Sequence, residues 1–197
     1  MVTRLEFVSR LERAFLDHGY ENLTMTALAK AVDVTRRTLY NYFSSKEEAF
    51  RFLIENVNTQ AVEVGMAAGR AAWADGRDAV DILATILDTR YGNTRRRLAR
   101  SPHAIEINDQ AFRRCRDIMI ASAIGFQSEL ARFIAELEAG RILRVRPDVG
   151  PGTLAQLLAD GARGTNQSLP PIDPSKLHLR YRGMVGALLH GTIEANP

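Results

Sequence analysis

Several features that would assign this 197-residue chain to a particular class of protein are scarce. Its one cysteine, Cys115, excludes an intramolecular disulfide and fits a reducing compartment. The sequence shows no run of about 18 apolar residues, as a membrane-spanning helix needs, and no basic-then-apolar signal layout near the N-terminus. We therefore expect a cytoplasmic protein without a membrane partner.

Motifs of enzymes and metal centres are also missing. GxSxG, HExxH, P-loop and GxGxxG patterns do not occur in a supporting context. The four histidines are scattered and show no metal-ligand spacing with Cys115. We expect no enzymatic activity, no metal and no cofactor.

An excess of positive charge, a usual feature of nucleic-acid-binding chains, is absent too. The net charge is +3, and residues 1–50 contain seven basic and seven acidic residues, which balance to zero. The apolar fraction of 46% and the charged fraction of 25% are ordinary for a soluble globular protein. DNA binding must therefore depend on where the cations lie and not on how many there are.

What is present is a pair of short helical patterns between Leu23 and Phe43. Thr24 is a favourable N-cap for the first pattern, and Thr35 is one for the second. Asp33 breaks the helical pattern between them, and Leu39 begins the apolar face of the second helix. This order of caps, apolar faces and a tight break predicts a helix-turn-helix, whereas the alternative is an ordinary helical hairpin with a solvated basic face.

The second pattern turns polar side chains outward. Arginine can bond guanine bidentately, asparagine can bond adenine, and a threonine methyl can contact thymine. The candidates for base reading are Arg36, Arg37, Thr38 and Asn41. Next along the chain, Ser44 and Glu47 are spaced as a capping box for a new helix, whose first turn contains Lys46.

The block from Phe15 through Phe50 resembles the DNA-binding domain of TetR-type transcriptional regulators. Its matching motifs are Gly19-Tyr20, Leu23-Thr24, Ala29 and the run from Leu39 to Glu47. The resemblance places the four candidate base readers on the recognition helix and implies backbone contacts from Thr24, Thr35, Tyr40, Tyr42 and Lys46. Arg37 departs from the small residue, often glycine, that is frequent there, so it either reads a base or pushes the helix outward.

Helical patterns continue along the rest of the chain, so the predicted fold class is all-α with about nine helices. After the three helices of the N-terminal unit, the expected spans are 45–69, 78–97, 101–108, 109–138, 148–167 and 173–195. We expect a helix-turn-helix domain over residues 1–46 and a larger helical domain over 47–197, linked by the helix from about residue 45. The segment from Leu137 to Ala162 also resembles the penultimate-helix region of TetR-type regulators.

By the same resemblance, the second domain dimerises and encloses an effector pocket. Small residues of the last two helices, including Gly191, would allow close helix packing, and the candidate dimer residues are Leu154, Leu158, Gly161, Tyr181, Met184, Val185 and Leu188. The candidate pocket residues are Val57, Ala61, Trp73, Leu83, Ile86, Tyr91, His103, Ile105, Phe112, Cys115, Met119 and Phe126. For both sets, packing in the core of the monomer is the alternative.

A basic cluster lies outside the recognition helix. It consists of Arg95, Arg96, Arg97, Arg100, Arg113, Arg114 and Arg116. Such a run is usually a solvated face, but we hypothesise that it lies at the domain junction and strengthens the phosphate field. The competing hypothesis is that it faces inward and holds an anionic effector.

The sequence thus predicts a ligand-responsive DNA-binding regulator that acts as a homodimer on a pseudo-palindromic, double-stranded operator. Most regulators of this family are repressors, and an activator is the alternative. A redox sensor built on Cys115 and a structural DNA binder without a ligand are further alternatives. The small-molecule effector, the operator sequence and the regulated genes are not specified by the sequence.

Overall fold

The computed structural model describes residues 3–190, and over this range it contains helices and connecting turns but no strand. The α-helices are α1 (Arg4–His18), α2 (Met25–Ala31), α3 (Arg36–Tyr42), α4 (Lys46–Ala74), α5 (Ala79–Leu87), α6 (Asn93–Leu98), α7 (Ala104–Arg114), α8 (Arg116–Ala139), α9 (Gly150–Asn166) and α10 (Leu177–His190). A π-helical turn, Asp88–Gly92, joins α5 to α6, and a 3-10 turn, Pro174–Lys176, precedes α10. The all-α fold class is confirmed. Gly191 and the expected helix end near residue 195 lie outside the described residues.

The chain forms two compact units. Among the described residues, unit 1 extends to Gln60 and includes Arg97–Ser122, whereas unit 2 contains Ala61–Arg96 and continues from Ala123. This grouping differs from the expected boundary between residues 46 and 47, because the first half of α4 and all of α7 belong to unit 1. Which segments fold independently remains a prediction.

Aromatic side chains form the centre of the unit 1 core. Phe15 and Phe50 are fully buried, and their ring centroids lie 4.9 Å apart in an edge-on arrangement. The Tyr20 ring packs on Phe50 at 5.0 Å. Leu28 of α2 and Leu39 of α3 are also fully buried, so these rings hold the helix pair against α1 and α4.

Gly19 lets α7 approach the end of α1 within unit 1. Its φ of +73° lies in the left-handed region, where side chains with a Cβ are strained. A Cβ at this position would also lie 2.4 Å from the Glu106 carboxylate. That carboxylate accepts a hydrogen bond of 2.7 Å from the backbone amide of Glu21, which fixes α7 beside the loop after α1.

The expected break between the sixth and seventh helices lies several residues further along the chain than predicted. The sequence suggested a helix over 101–108 and another from residue 109, but α7 continues to Arg114 and the chain breaks at Cys115. The carbonyl of Arg114 accepts a hydrogen bond from Arg51 of α4, and Cys115 is buried. A contact with a distant helix therefore sets this break, which no local glycine or proline signals.

Aliphatic side chains dominate the unit 2 core. Ile82, Leu83, Phe133 and Leu158 are completely buried there, and they bring together α5, the second half of α8 and α9. By length and composition alone, α8 could cross a membrane, with a mean hydropathy of 1.3 over an 18-residue window of which 22% is buried. From Phe126 onward its buried side chains pack into this core.

Candidate DNA-reading helix and ligand region

Threonine N-caps begin both helices of the helix-turn-helix. The Thr24 side chain accepts a hydrogen bond of 3.2 Å from the amide of Ala27, and Thr35 accepts one of 3.0 Å from Thr38. The hydroxyl oxygens of Thr35 and Thr38 are also 2.8 Å apart. Both predicted caps are confirmed, and they fix where the outward face of α3 begins.

The outward face of α3 carries the candidate base readers. Arg36, Arg37 and Asn41 are exposed, while Thr38 is half-buried against its cap. The Arg36 guanidinium lies 5.5 Å from the centre of the Tyr40 ring. Among residues 3–190, neither arginine forms an ion pair, so both cations are available to an anion. The structure thus brings these residues to one face, and base reading remains a prediction.

The predicted backbone contacts differ in how accessible they are. Thr24 and Thr35 are exposed, as are Tyr40 and Tyr42 with 42% and 63% of their surface. The Tyr42 ring lies 5.9 Å from that of Phe7, which supports it from α1. These four side chains are accessible to solvent, and their contacts with phosphates remain predictions.

Lys46, the fifth residue predicted to contact the DNA backbone, is instead held by its own unit. Its Nζ donates to the carbonyls of Tyr20 at 2.6 Å and Glu21 at 3.2 Å and lies 4.5 Å from the Tyr20 ring centre. Two of the three N–H donors of its ammonium group are thus used within unit 1, and its contact with the DNA backbone remains a prediction.

The predicted capping box is also wrong by one residue. Ser45, and not Ser44, caps α4, since its hydroxyl accepts a bond of 3.1 Å from the amide of Glu48. Glu48 accepts in turn from the hydroxyl of Ser44 at 2.7 Å and from its amide at 2.6 Å, and these bonds lower the pKa of its carboxyl. Glu47 is left free to pair with Arg114.

Arg114 forms a cation cluster with Tyr20 that sequence reasoning missed. Its guanidinium lies 4.5 Å from the centre of the Tyr20 ring, which Lys46 also contacts at 4.5 Å. Its Nε donates to Gln110 at 2.6 Å, and it forms an ion pair with Glu47. Burial raises the pKa of the Tyr20 hydroxyl, and the arginine opposes that shift. We call Tyr20, Lys46, Arg114 and Glu47 the Tyr20 cluster.

The basic cluster is partly neutralised. In unit 2, Arg96 lies 2.9 Å from the carboxylate of Asp88, and in unit 1, Arg97 lies 3.3 Å from that of Glu12. Arg114 pairs with Glu47 as described. Within the described ranges, Arg95, Arg100, Arg113 and Arg116 form no ion pair. The roles proposed for this cluster therefore remain predictions about these four.

The candidate pocket residues of unit 1 do not line one enclosed space. Ile105 is 81% exposed and Phe112 47% exposed, so neither can be an inner wall. Cys115 is fully buried in the core, and burial raises the pKa of its thiol to about 11. His103 and Ile105 do border a polar surface pocket of about 420 Å³ beside Glu106 and Arg113. Val57 and Met119 are half-buried against the core.

The candidate pocket residues of unit 2 pack mostly as core. Leu83, Ile86 and Phe126 are fully buried, and Trp73 packs edge-on against Phe133 with centroids 5.9 Å apart. Ala61 is half-buried. Core packing, the alternative considered from the sequence, thus accounts for these contacts.

Arg90 is a candidate ligand-binding residue that the sequence analysis did not identify. It lies on the π turn with only 5% of its surface exposed, and its guanidinium stacks 4.2 Å from the Phe126 ring centre and 4.8 Å from that of Tyr91. The signal was available, because Arg90 follows Leu83, Ile86 and Leu87 at helical spacing and so occupies a core position.

Most of the predicted dimer residues face the chain's own core, which is the alternative considered from the sequence, and their role in a dimer remains a prediction. Leu154, Leu158, Tyr181 and Val185 are between 0% and 6% exposed. Gly161 faces Met184 of the same chain, since an added Cβ would lie 2.8 Å from its sulfur. An apolar stripe can be buried only once, and here the monomer buries it. Leu188 is 38% exposed and stays a candidate for an interface.

Comparison with protein families supports the interpretation of unit 1. Residues 9–51 match the model of the bacterial regulatory proteins of the tetR family. The nucleoid occlusion factor SlmA of Haemophilus influenzae is 38% identical over 72 residues, which is 36% of this chain and 33% of that protein. The chain therefore matches only about a third of the length of this curated relative.

Solved structures share the fold over nearly the whole length. A TetR/AcrR-family regulator from Thermobifida fusca superposes with a TM-score of 0.67 at 18% identity, covering 97% of this chain and 98% of its own. FadR of Thermus thermophilus, a TetR-family repressor solved with lauroyl-CoA, gives 0.61 at 20% identity and covers 99% and 97%. At these identities the likeness concerns the fold alone.

Proposed function

We propose that this chain, which is a TetR-type regulator by its N-terminal domain and its fold, reads operator DNA with the outward face of α3. The observation that carries this proposal is the exposed, unpaired Arg36 and Arg37 beside Asn41 on a helix capped at Thr35. Bidentate contacts from such side chains distinguish bases in the major groove. Phosphate contacts from Thr24, Thr35, Tyr40 and Tyr42 would position the helix.

Binding to DNA is tested by Arg36→Ala. Fluorescence anisotropy on a site selected from genomic DNA should show a loss of about 1 to 3 kcal/mol in specific binding, because one bidentate contact disappears. Binding to random DNA should change much less. Equal losses on both would make Arg36 a phosphate contact, and Arg132→Ala, an exposed arginine of unit 2, is the control.

Arg37 needs its own variant, because the family pattern favours a small residue there. Arg37→Gly should weaken specific binding if the side chain reads a base. If the side chain only holds the helix away from the groove, the same variant should bind more tightly. Selection of binding sites with both proteins identifies any base whose preference depends on Arg37.

A small-molecule effector and a repressor role complete the proposal. FadR of Thermus thermophilus, with the same fold, is described as a repressor and was solved with lauroyl-CoA. An effector that prefers a conformation unsuited to DNA would lower DNA affinity, and DNA would lower effector affinity by the same factor. A reporter assay in a deletion strain separates repressor from activator by the sign of the change.

Homodimerisation would match a pseudo-palindromic operator with half-sites about 34 to 36 Å apart. Since the apolar stripe of α9 and α10 is buried in the monomer, the remaining candidates for the dimer face are the exposed leucines of these helices: Leu157, Leu179 and Leu188, which are 43%, 59% and 38% exposed. Analytical ultracentrifugation should show dimers for the wild type and monomers for a Leu157→Glu, Leu188→Glu variant. Ile105→Glu, at a more exposed apolar position in unit 1, should remain dimeric.

A cytoplasmic location without membrane association follows from this function. The redox alternative finds no support at Cys115, because a buried thiol with a raised pKa is a poor nucleophile.

A further inference from the structure

Arg90 is a buried cation without a hydrogen-bond acceptor. It is 5% exposed, and its Nε and Nη1 atoms are enclosed without a hydrogen-bond partner among residues 3–190. These two nitrogens carry three N–H donors. Buried charges are normally paired, because an isolated ion inside a protein loses its hydration without compensation.

The aromatic neighbours of Arg90 do not supply what these donors need. The guanidinium carbon lies 4.2 Å from the centre of the Phe126 ring and 4.8 Å from that of Tyr91. A ring face attracts the positive charge from above or below the guanidinium plane. The N–H bonds point outward within that plane, so a planar acceptor such as a carboxylate can still bind edge-on.

The neighbouring carboxylate is already committed elsewhere. Asp88, on the same π turn, accepts hydrogen bonds of 2.9 and 3.0 Å from Arg96. Gly92 makes room for this pair, since a Cβ there would lie 2.3 Å from the Asp88 carboxylate. The turn and α6 therefore place two arginines near one carboxylate, and among residues 3–190 Arg90 is the one left without a counter-ion.

Two independent features of the same turn point to a ligand. A π-helical segment within an α-helix is rare and occurs frequently at functional sites. The hydroxyl of Tyr91, the residue after Arg90, is also enclosed without a hydrogen-bond partner in the described chain. The turn thus presents the N–H groups of Arg90 and the hydroxyl of Tyr91 as hydrogen-bond donors without acceptors in the described chain, beside the ring of Phe126.

We propose that Arg90 is the anchor for the carboxylate of an organic acid that serves as the effector. The carboxylate binds the free edge of the guanidinium, Tyr91 adds a hydrogen bond, and the apolar part of the acid packs near Phe126. This inference rests on the proposed ligand-responsive function and specifies the chemical class of the ligand.

Unit 2 contains a matched arginine for comparison. Arg70 also stacks on a ring, with its guanidinium 5.0 Å from the centre of Phe133, but it is exposed and bonds to the Glu136 carboxylate at 2.7 Å. Arg70 therefore has the cation-ring contact without the unused donors. Its variant separates loss of an arginine from loss of the proposed anchor.

The experiment is calorimetric titration of the full-length protein in the absence of DNA. The probes are octanoate with octanamide, benzoate with benzamide, and inorganic phosphate. We expect at least one carboxylate to bind tenfold or more tightly than its amide. Arg90→Met should abolish this preference, whereas Arg70→Met should keep it.

Thermal unfolding provides a second readout. If Arg90 serves a ligand, Arg90→Met should melt at the wild-type temperature or above it without ligand, because an unpaired buried charge has been removed. If Arg90→Met does not fold, Arg90→Lys keeps the charge without the fork and should retain a weaker preference for the carboxylate.

Equal binding of acids and amides by the wild type would overturn the proposal, as would a lower melting temperature for Arg90→Met with unchanged carboxylate binding. Phosphate binding as tight as that of either acid would overturn the assignment to an organic acid. Each of these results would leave operator binding by α3 intact. Loss of the regulator function would instead appear as a wild-type protein that binds carboxylates but selects no DNA site.

Discussion

Cations stack on aromatic rings in both units, but their other contacts differ. In the Tyr20 cluster of unit 1, Lys46 also bonds to two carbonyls, and Arg114 bonds to Gln110 and Glu47. In unit 2, Arg90 has two ring faces, but its Nε and Nη1 have no acceptor among the described residues. A cation that stabilises a fold is satisfied by that fold, whereas one that serves a ligand keeps free donors. The contrast separates a structural role from a binding role.

The largest effect should come from removing the ring beneath the Tyr20 cluster. Phe50→Ala empties a fully buried site that contacts Phe15 and Tyr20, so unit 1 should lose about 3 to 5 kcal/mol of stability. Trp73, the chain's one tryptophan, lies in unit 2 and reports on that unit by fluorescence. Urea titrations followed by circular dichroism and by fluorescence should shift apart if the units unfold separately.

Coincident shifts in the circular dichroism and fluorescence signals would instead show that the two units unfold together. The Tyr20 cluster and Arg90 would then be two sites in one cooperative domain. Phe112→Ala, at a ring that is 47% exposed, should change stability by less than about 0.5 kcal/mol.

Gly19 and Gly76 separate backbone strain from close packing, because both have a φ of +73°. Nothing lies within 4 Å of a Cβ at Gly76, whereas one at Gly19 would lie 2.4 Å from Glu106. Gly76→Ala should therefore cost about 1 to 2 kcal/mol from strain alone. Gly19→Ala should cost about 1 to 3 kcal/mol more, because Glu106 must move. If urea unfolding gave equal losses of stability for the two variants, Glu106 of α7 could move away from the added Cβ without a loss of free energy.

The third prediction compares the two stacked arginines directly. Arg114→Met leaves Glu47 and Gln110 without their donor and should lower stability by about 1 to 2 kcal/mol, a range reduced for the partial exposure of both charges. Arg90→Met removes no hydrogen bond from Nε or Nη1 and should leave the stability of the ligand-free protein unchanged or raise it. Differential scanning fluorimetry of both proteins without ligand tests the order. The reverse order would mean that the ring contacts of Arg90 support the fold.

The helix caps could be predicted from the sequence, because they depend on residues close together in the chain. The caps at Thr24 and Thr35 need only a residue three positions away, and both were confirmed. The capping box failed by one position, because two adjacent serines and two adjacent glutamates offer the same local pattern. Local chemistry alone does not decide between such registers.

Contacts between residues far apart in the sequence could not be predicted from local sequence patterns. The apolar stripe of α9 and α10 was recognised, but only the packed unit shows that the monomer buries Leu158 and Tyr181. The same holds for Lys46, whose acceptors lie 25 and 26 residues away, and for the break at Cys115. Arg90 was visible as a charge at a core position, yet its missing acceptors could be identified only in the folded unit.

The smallest predicted effect concerns an exposed ion pair of unit 1. Asp117 accepts two hydrogen bonds from Arg51, at 3.0 and 2.6 Å, and these lower the pKa of its carboxyl to about 2. An unfolded aspartate titrates near about 3.9. The pair therefore stabilises the folded protein fully above that value and loses its effect as the pH falls toward 2.

Asp117→Asn should accordingly unfold at a lower urea concentration than the wild type at pH 7, and the difference should shrink steadily between pH 4 and about pH 2, the pKa in the folded protein. Asp17→Asn, which removes an exposed carboxylate of α1, is the control variant. Because Arg51 also bonds to the Arg114 carbonyl where the chain breaks before α8, the absence of any difference at pH 7 would mean that this backbone contact, and not the carboxylate, holds Arg51 in place. Arg51 would then be satisfied by the fold itself, as Lys46 is, and the contrast with Arg90 would extend to a third cation.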